Sequence, residues 1–350
     1  MYPCPRIEST DHVDELLSEP TPHAVQTIGQ LDGDLMLLGV AGKMGPTLAR
    51  MARIASERAA PASASPKPRR IIGVARFSQP SIESWLQSHG IETIRCDLLD
   101  PAQLDRLPDV PNVIAMFGMK FGSTGQEART WAMNCLLPAL VCRKFRHSRI
   151  VAFSTGNIYG LTSIARGGSR ETDPLNATGD YAMSCVGRER IYEYCSREYS
   201  MPMALLRLNY ATEMRYGVLV DIAQRVWSGQ PVDLSMGYLN TIWQADANAA
   251  ALSAFAHVAI PPFVLNVTGP EILSVRQIGE EFAKHFGKPS TFQGTPSADA
   301  LLSNPEHSHR LFGPPRVDAA QMIAWVADWI ARGGPTLGKP THFEVRDGKF

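Results

Sequence analysis

Three glycines at a fixed spacing carry the first chemical signal in the chain. Gly39-Val40-Ala41-Gly42-Lys43-Met44-Gly45 follows directly on the apolar run Leu35-Met36-Leu37-Leu38. A buried strand that runs into Gly-x-x-Gly-x-x-Gly and then a helix forms a cradle for a dinucleotide pyrophosphate. The first glycine permits the tight turn, the second lets the backbone approach the phosphates, and the third lets helix pack on strand. The helix start adds N–H groups and a positive dipole end, so Lys43 and Met44 join the expected contact. At the end of the following strand an acidic residue would bind the ribose 2′-hydroxyl of NAD. The chain instead reads Val74-Ala75-Arg76-Phe77-Ser78 there. Without a carboxylate, Arg76 and Ser78 lean toward the 2′-phosphate of NADP.

Such a loop needs a sheet behind it, and the flanking sequence supplies one. An alternation of strands and helices begins at Asp34. After the glycine loop, Leu48, Met51, Ala52 and Ala55 recur at the spacing of one buried helical face. Further strands are expected over 71–77, 93–96, 112–117 and 149–153, with a helix over 127–144. Alternating βα units imply an α/β fold, a doubly wound parallel sheet of Rossmann type with right-handed crossovers. Residues 1–33 read as a helical extension, and 59–67, rich in Ala, Pro and Ser, as an exposed loop. The expected organisation is a dinucleotide-binding domain over 34–206, to which 241–260 returns. A smaller substrate lobe is expected from 207–240 and 261–350, with helices over 218–227, 275–286 and 319–331.

Composition narrows the class. The 350 residues are 44% hydrophobic and 19% charged, which suits a soluble globular protein with a sizeable core. Lys plus Arg and Asp plus Glu balance at 34 each, and no basic stripe interleaves with aromatics, so neither nucleic acid nor an anionic membrane is the expected partner. No apolar run reaches the ~18 residues of a membrane-spanning helix. The six cysteines show no CxxC spacing and form neither a zinc motif nor a disulfide framework, which points to a reduced, cytoplasmic setting. Among nine histidines only His307 and His309 lie close together, and no metal site is assigned.

Several further segments, taken in order, resemble one family. Asp97-Leu98 follows the third strand, Gly118-Met119-Lys120 the fourth, and Asn134 lies in the next helix. Ser154-Thr155-Gly156-Asn157-Ile158-Tyr159-Gly160 follows the fifth strand, and Tyr181-Ala182-Met183-Ser184-Cys185 leads to Glu189. Leu265-Asn266-Val267-Thr268-Gly269 comes later. With Gly39, Gly42 and Gly45, these resemble the extended short-chain dehydrogenase/reductases, in particular the NAD-dependent epimerase/dehydratase group acting on sugars and nucleotide sugars. The resemblance spans roughly 34–334. It implies that Asp97 and Leu98 lie beside the adenine, that Gly118, Lys120 and Asn134 belong to the cofactor site, and that Thr155 and Tyr181 act on a sugar-like substrate. It also implies a homodimer, through the helices around Asn134 and Tyr181.

The chain departs from the family's Tyr-x-x-x-Lys at one decisive position, where Cys185 stands in place of the lysine. The family's lysine binds the nicotinamide ribose and lowers the tyrosine pKa. A free tyrosine titrates near ~10, so proton exchange near neutral pH needs a positive neighbour. Lys120 and the nicotinamide's own charge are the expected substitutes. The substrate side departs as well. Leu208-Asn209-Tyr210-Ala211 lacks the family's Gly-Pro, and Leu239 stands seven residues before Asp246, where many members carry an arginine. A sugar or sugar-acid derivative smaller than a nucleotide sugar is thereby favoured. Two functional classes follow: an NAD(P)-dependent epimerase, dehydratase or oxidoreductase, or a non-catalytic NAD(P)-binding sensor or scaffold that has lost its lysine.

Overall fold

The computed structural model describes residues 6–59, 69–120 and 122–349. Apart from Ala59, which closes a helix, the predicted loop over 59–67 lies outside the described residues. Seven strands form one parallel sheet. They are β1 (Leu35–Leu38), β2 (Ile71–Ala75), β3 (Glu92–Arg95), β4 (Asn112–Ala115), β5 (Arg149–Thr155), β6 (Met203–Leu208) and β7 (Phe263–Val267). Their order is β7-β6-β5-β4-β1-β2-β3. Every pairing is parallel.

The apolar run of β1 explains its central place. Leu35 and Leu37 enter the core on one face, Met36 and Leu38 the core on the other, as the two-residue period of a strand requires. Leu38 pairs with Val74 on one side and Ala115 on the other, so the chain order reverses at β1. In an open α/β sheet the crevice at such a reversal, beyond the carboxyl ends of the strands, is where ligands bind.

Helices cover both faces. The two N-terminal helices, Thr10–Leu17 and Pro22–Gln30, are capped by the Ser9 and Thr21 hydroxyls. They bury Val13, Leu17, Ala24 and Ile28 in the same core as Leu48 and Ala52 of the helix Gly45–Ala59. Gln244–Ser253 packs there too, and every one of its residues is buried; its many alanines admit close approach.

The seventh strand corrects one expectation. Phe263–Val267 falls within the 261–350 stretch expected in the substrate lobe, yet it pairs with β6 from Phe263–Ala204 to Val267–Leu208. The crossover between β6 and β7 runs through the helices Val218–Trp227 and Gln244–Ser253 and several two-residue strands instead of a single helix, so the βα alternation that marks the earlier strands is missing. Helices Val218–Trp227, Val275–Phe286 and Ala319–Ala331 pack together.

Candidate active site

Each glycine of the loop has a distinct steric reason. Gly39 adopts φ +87°, and a Cβ there would stand 3.0 Å from the Phe117 amide nitrogen. A Cβ on Gly45 would come within 2.0 Å of the Val40 carbonyl oxygen, so only glycine lets the helix start this close to the strand exit. Gly42 is exposed, with nothing nearer to its missing Cβ than the Gly39 carbonyl oxygen at 3.4 Å. That open side faces a cleft of about 960 Å³ lined by Gly42, Lys43 and Met44. The loop thus offers the close-approach surface that a pyrophosphate needs.

The opposite wall brings together residues far apart in sequence. Gly118 and Lys120 after β4, Thr155 at the end of β5 and Tyr181 on the helix Gly179–Glu198 all line the same cleft. Thr155 caps the turn Gly156–Tyr159, its Oγ1 accepting from the Asn157 amide at 3.2 Å. Tyr181 is in hydrogen-bond contact with Thr155 and with Cys185 one turn along its helix. Burial raises the Tyr181 pKa well above the ordinary tyrosine value; Cys185 adds to the rise, and Arg188 opposes it. Burial likewise raises the Cys185 thiol, which keeps it neutral.

Lysines enter from both sides. Lys120 Nζ lies 5.9 Å from the ring centroids of Tyr181 and Tyr210, and burial pulls its pKa down to about 8. Lys43 Nζ donates to the Ala211 carbonyl at 2.8 Å and stands 3.9 Å over the Tyr216 ring. Burial brings its pKa down to about 7, against the pull of Glu213.

Other residues expected from the sequence stand elsewhere. Arg76 and Ser78 are exposed at the end of β2 and lie outside the cleft lining, which there consists of Gln79, Ser81, Ile82 and Trp85. Asp97 is half-buried, its Oδ1 accepting from the Leu99 amide at 3.1 Å, and Leu98 is buried. Neither lines the cleft. Asn134 is fully buried behind the wall. Its Nδ2 donates to the Met119 carbonyl at 3.1 Å and to Ser184 Oγ at 2.9 Å, and its Oδ1 accepts from the Met119 amide at 3.0 Å. Asn134 therefore pins the 118–120 segment to the helix bearing Tyr181.

Arg188 was missed by the sequence reading. It is 6% exposed, lines the cleft, and donates to the Phe153 carbonyl at 3.1 Å and to Asn134 Oδ1. The signal was available: Tyr181, Cys185 and Arg188 fall four and three residues apart, on one helical face.

The family model for the NAD dependent epimerase/dehydratase family matches residues 36–212, just over half of the chain. The chain belongs to this family. Solved structures of similar fold include MoeE5 in complex with UDP-glucose and NAD, at 18% identity and TM-score 0.69, covering 86% of this chain and 99% of that one. Another is dTDP-glucose 4,6-dehydratase from Bacillus anthracis in complex with NAD, at 15% identity and TM-score 0.71, covering 86% and 97%. UDP-glucuronic acid 4-epimerase from Bacillus cereus in complex with NAD matches at 17% identity and TM-score 0.69, covering 85% and 97%. At such identities the likeness establishes the doubly wound fold. No curated protein matches the chain. No helix among the described residues is long and apolar enough to cross a membrane.

Proposed function

We propose that this family member is an NAD(P)-dependent enzyme acting on a sugar or sugar derivative, as an epimerase, dehydratase or oxidoreductase. The observation that carries this reading is the convergence of the glycine loop, Thr155 and Tyr181 on one cleft. Gly39, Gly42 and Gly45 shape a cradle that fits a dinucleotide, with the first turn of Gly45–Ala59 toward its pyrophosphate. The chemistry that the bound dinucleotide supplies is reversible two-electron oxidation of a carbinol carbon. Thr155 hydrogen-bonds the substrate oxygen, and Tyr181 exchanges its proton.

The end of β2 offers no carboxylate to a ribose 2′-hydroxyl, and the exposed Arg76 and Ser78 stand next in sequence to Gln79 and Ser81 of the cleft wall, which favours the phosphorylated dinucleotide as cofactor. Leu239 is fully buried in the core, so the position that would carry an arginine presents no charge to a diphosphate. This supports a substrate smaller than the nucleotide sugars held by MoeE5. The homodimer belongs to the same proposal. Trp131, Leu136, Met183 and Tyr194 are exposed on the two helical stretches that flank Asn134 and Tyr181.

The neutral Cys185 favours a second reading, a protein that binds the dinucleotide without turnover. Calorimetric binding of NADP and NAD, followed by reduced-nicotinamide absorbance with candidate sugars, separates the two. We expect tighter binding of NADP, and a Tyr181→Phe variant that binds it as the native chain does but turns over about 10²–10⁴-fold more slowly. Binding with no turnover on any sugar, and a Tyr181→Phe protein indistinguishable from native, would select the second reading.

A further inference from the structure

Tyr181 is a buried phenol whose helical neighbour is an uncharged thiol. Proton exchange at its oxygen requires a positive charge close by. The titratable and charged groups facing it are Cys185 and Arg188 from its own helix and Lys120 from the segment after β4. Thr155 beside it is neutral, and Tyr210 faces the same Lys120 ammonium. Two cations are thus available, and they differ in kind. Lys120 loses its charge near pH 8. An arginine keeps its charge at every working pH.

We propose that Arg188 is the fixed positive charge that poises Tyr181 for proton exchange, serving from one turn further along the helix in place of a cation at position 185. This rests on the reading of Tyr181 as the proton-exchanging group. Three independent observations support it. Arg188 falls on the same helical face as Tyr181 and Cys185. The main chain makes room for it, since a Cβ on Gly118 would stand 2.5 Å from Arg188 Nη2. Finally, the side chain is satisfied at only part of its fork. Its Nη atoms bond Phe153 and Asn134, whereas the buried Nε–H has no hydrogen-bond partner among the described residues, in a residue that lines the cleft. An unpartnered buried donor on a guanidinium is costly unless a ligand completes it. Burial works against the Arg188 charge, yet its pKa lies above the ordinary arginine value and the guanidinium stays protonated. Arg188 is accordingly a positioning residue for Tyr181, its guanidinium tied to Phe153 and Asn134 behind the cleft wall.

The test moves the charge by one turn. Three variants are compared with the native chain: Arg188→Gln, Arg188→Lys, and the double variant Arg188→Gln with Cys185→Lys. Thermal unfolding checks that each folds, calorimetry gives the affinity for NADP, and turnover gives the pH profile of kcat/KM. Arg188→Gln is expected to weaken NADP binding about tenfold and to move the acidic limb of the profile up by about one pH unit. Arg188→Lys and the double variant are expected to recover most of both. Cys185→Lys alone is the control for the double variant. If the guanidinium were only a tie between Phe153 and Asn134, Arg188→Gln would lower the unfolding temperature without moving the pH profile, and that outcome overturns the proposal. So does a folded Arg188→Gln protein with native affinity and profile. A native chain that binds no dinucleotide at all would instead refute the reading of the site itself.

Discussion

Two buried charge clusters flank the end of β5, and consecutive residues of one helix belong to each. Glu189 turns toward β6, where its carboxylate accepts from Arg207 Nη2 at 2.7 Å and from Ser154 Oγ at 2.5 Å. Arg207 also donates to the Tyr159 hydroxyl at 2.7 Å, which in turn donates to Asn266 Oδ1 at 2.7 Å. Asn266 Nδ2 finishes on the Ser169 carbonyl at 2.8 Å. That chain of contacts joins β5, β6, β7 and the helix, and Glu189, Arg207 and Tyr159 lie outside the cleft lining. Arg188, one residue earlier, faces the cleft and keeps a donor unpaired. Both are ionisable side chains in a core, yet only the first has its hydrogen bonds completed within the protein. A buried charge with all its partners holds a fold together, while one left incomplete beside a cleft is held ready for something that enters.

The comparison breaks most forcefully at Glu189. Glu189→Gln leaves the Arg207 guanidinium buried without its counter-charge, which costs about 3–5 kcal/mol. Urea unfolding should show that loss, while NADP affinity of the folded fraction stays native. A loss below about 1 kcal/mol would mean that the cluster contributes no more than an exposed pair.

Tyr159 and Tyr181 divide in the same way, and the contrast predicts a smaller effect. Burial raises the Tyr159 pKa to about 12, with Arg207 opposing the rise, so the phenol stays a neutral donor within the network. Tyr159→Phe removes two buried hydrogen bonds and should destabilise the protein by about 1–3 kcal/mol. Its kcat/KM and pH profile should match the native chain. A shifted profile would show that the structural cluster communicates with Tyr181, and the division between the two would fail.

How legible each cluster was follows from its physical character. The glycine loop was readable because steric demands fix both residue type and spacing: Gly39, Gly42 and Gly45 each stand where a Cβ would clash or fill the approach. β1, β2, β4 and β5 were readable from apolar runs, and β3, Glu-Thr-Ile-Arg, from its place in the alternation. Gly179–Glu198 was marked only by the motif around Tyr181, because Ser184, Arg188, Glu189 and Ser196 are buried alongside Ala182, Cys185, Tyr192 and Cys195 and blur its apolar stripe. The motif located Tyr181 and Glu189 but offered no slot for Arg188, whose role depends on Gly118 brought alongside by the sheet. β7 carries no local signal because its partner β6 lies more than fifty residues earlier in the chain. Arg76 and Ser78 were chosen by analogy with a strand end, and their exposure puts them outside the cleft wall, leaving Gln79 and Ser81 to line it.

Lys43 extends the contrast to the other wall of the cleft and gives the smallest effect. Arg207 keeps its charge because burial, which lowers its pKa, is outweighed by Glu189. Lys43 has no such hydrogen-bonded carboxylate, and burial brings its pKa from an ordinary value near 10.5 down to about 7. Between those two pH values the unfolded chain holds more protons than the folded one. Stability of the ligand-free protein should therefore rise with pH from about 7 to 10.5 on account of this group. A pyrophosphate on the loop reverses the preference, since an anion beside Lys43 favours the ammonium form. NADP binding at pH 8 should then take up protons, at most one per site from this lysine. Calorimetry in two buffers of different ionisation enthalpy reads that uptake directly. Lys43→Met should abolish it while leaving the Glu189 network and the unfolding midpoint at high pH unchanged. Equal binding heats in both buffers for the native chain would place Lys43 among the groups that merely support the fold, with its Nζ spent on the Ala211 carbonyl.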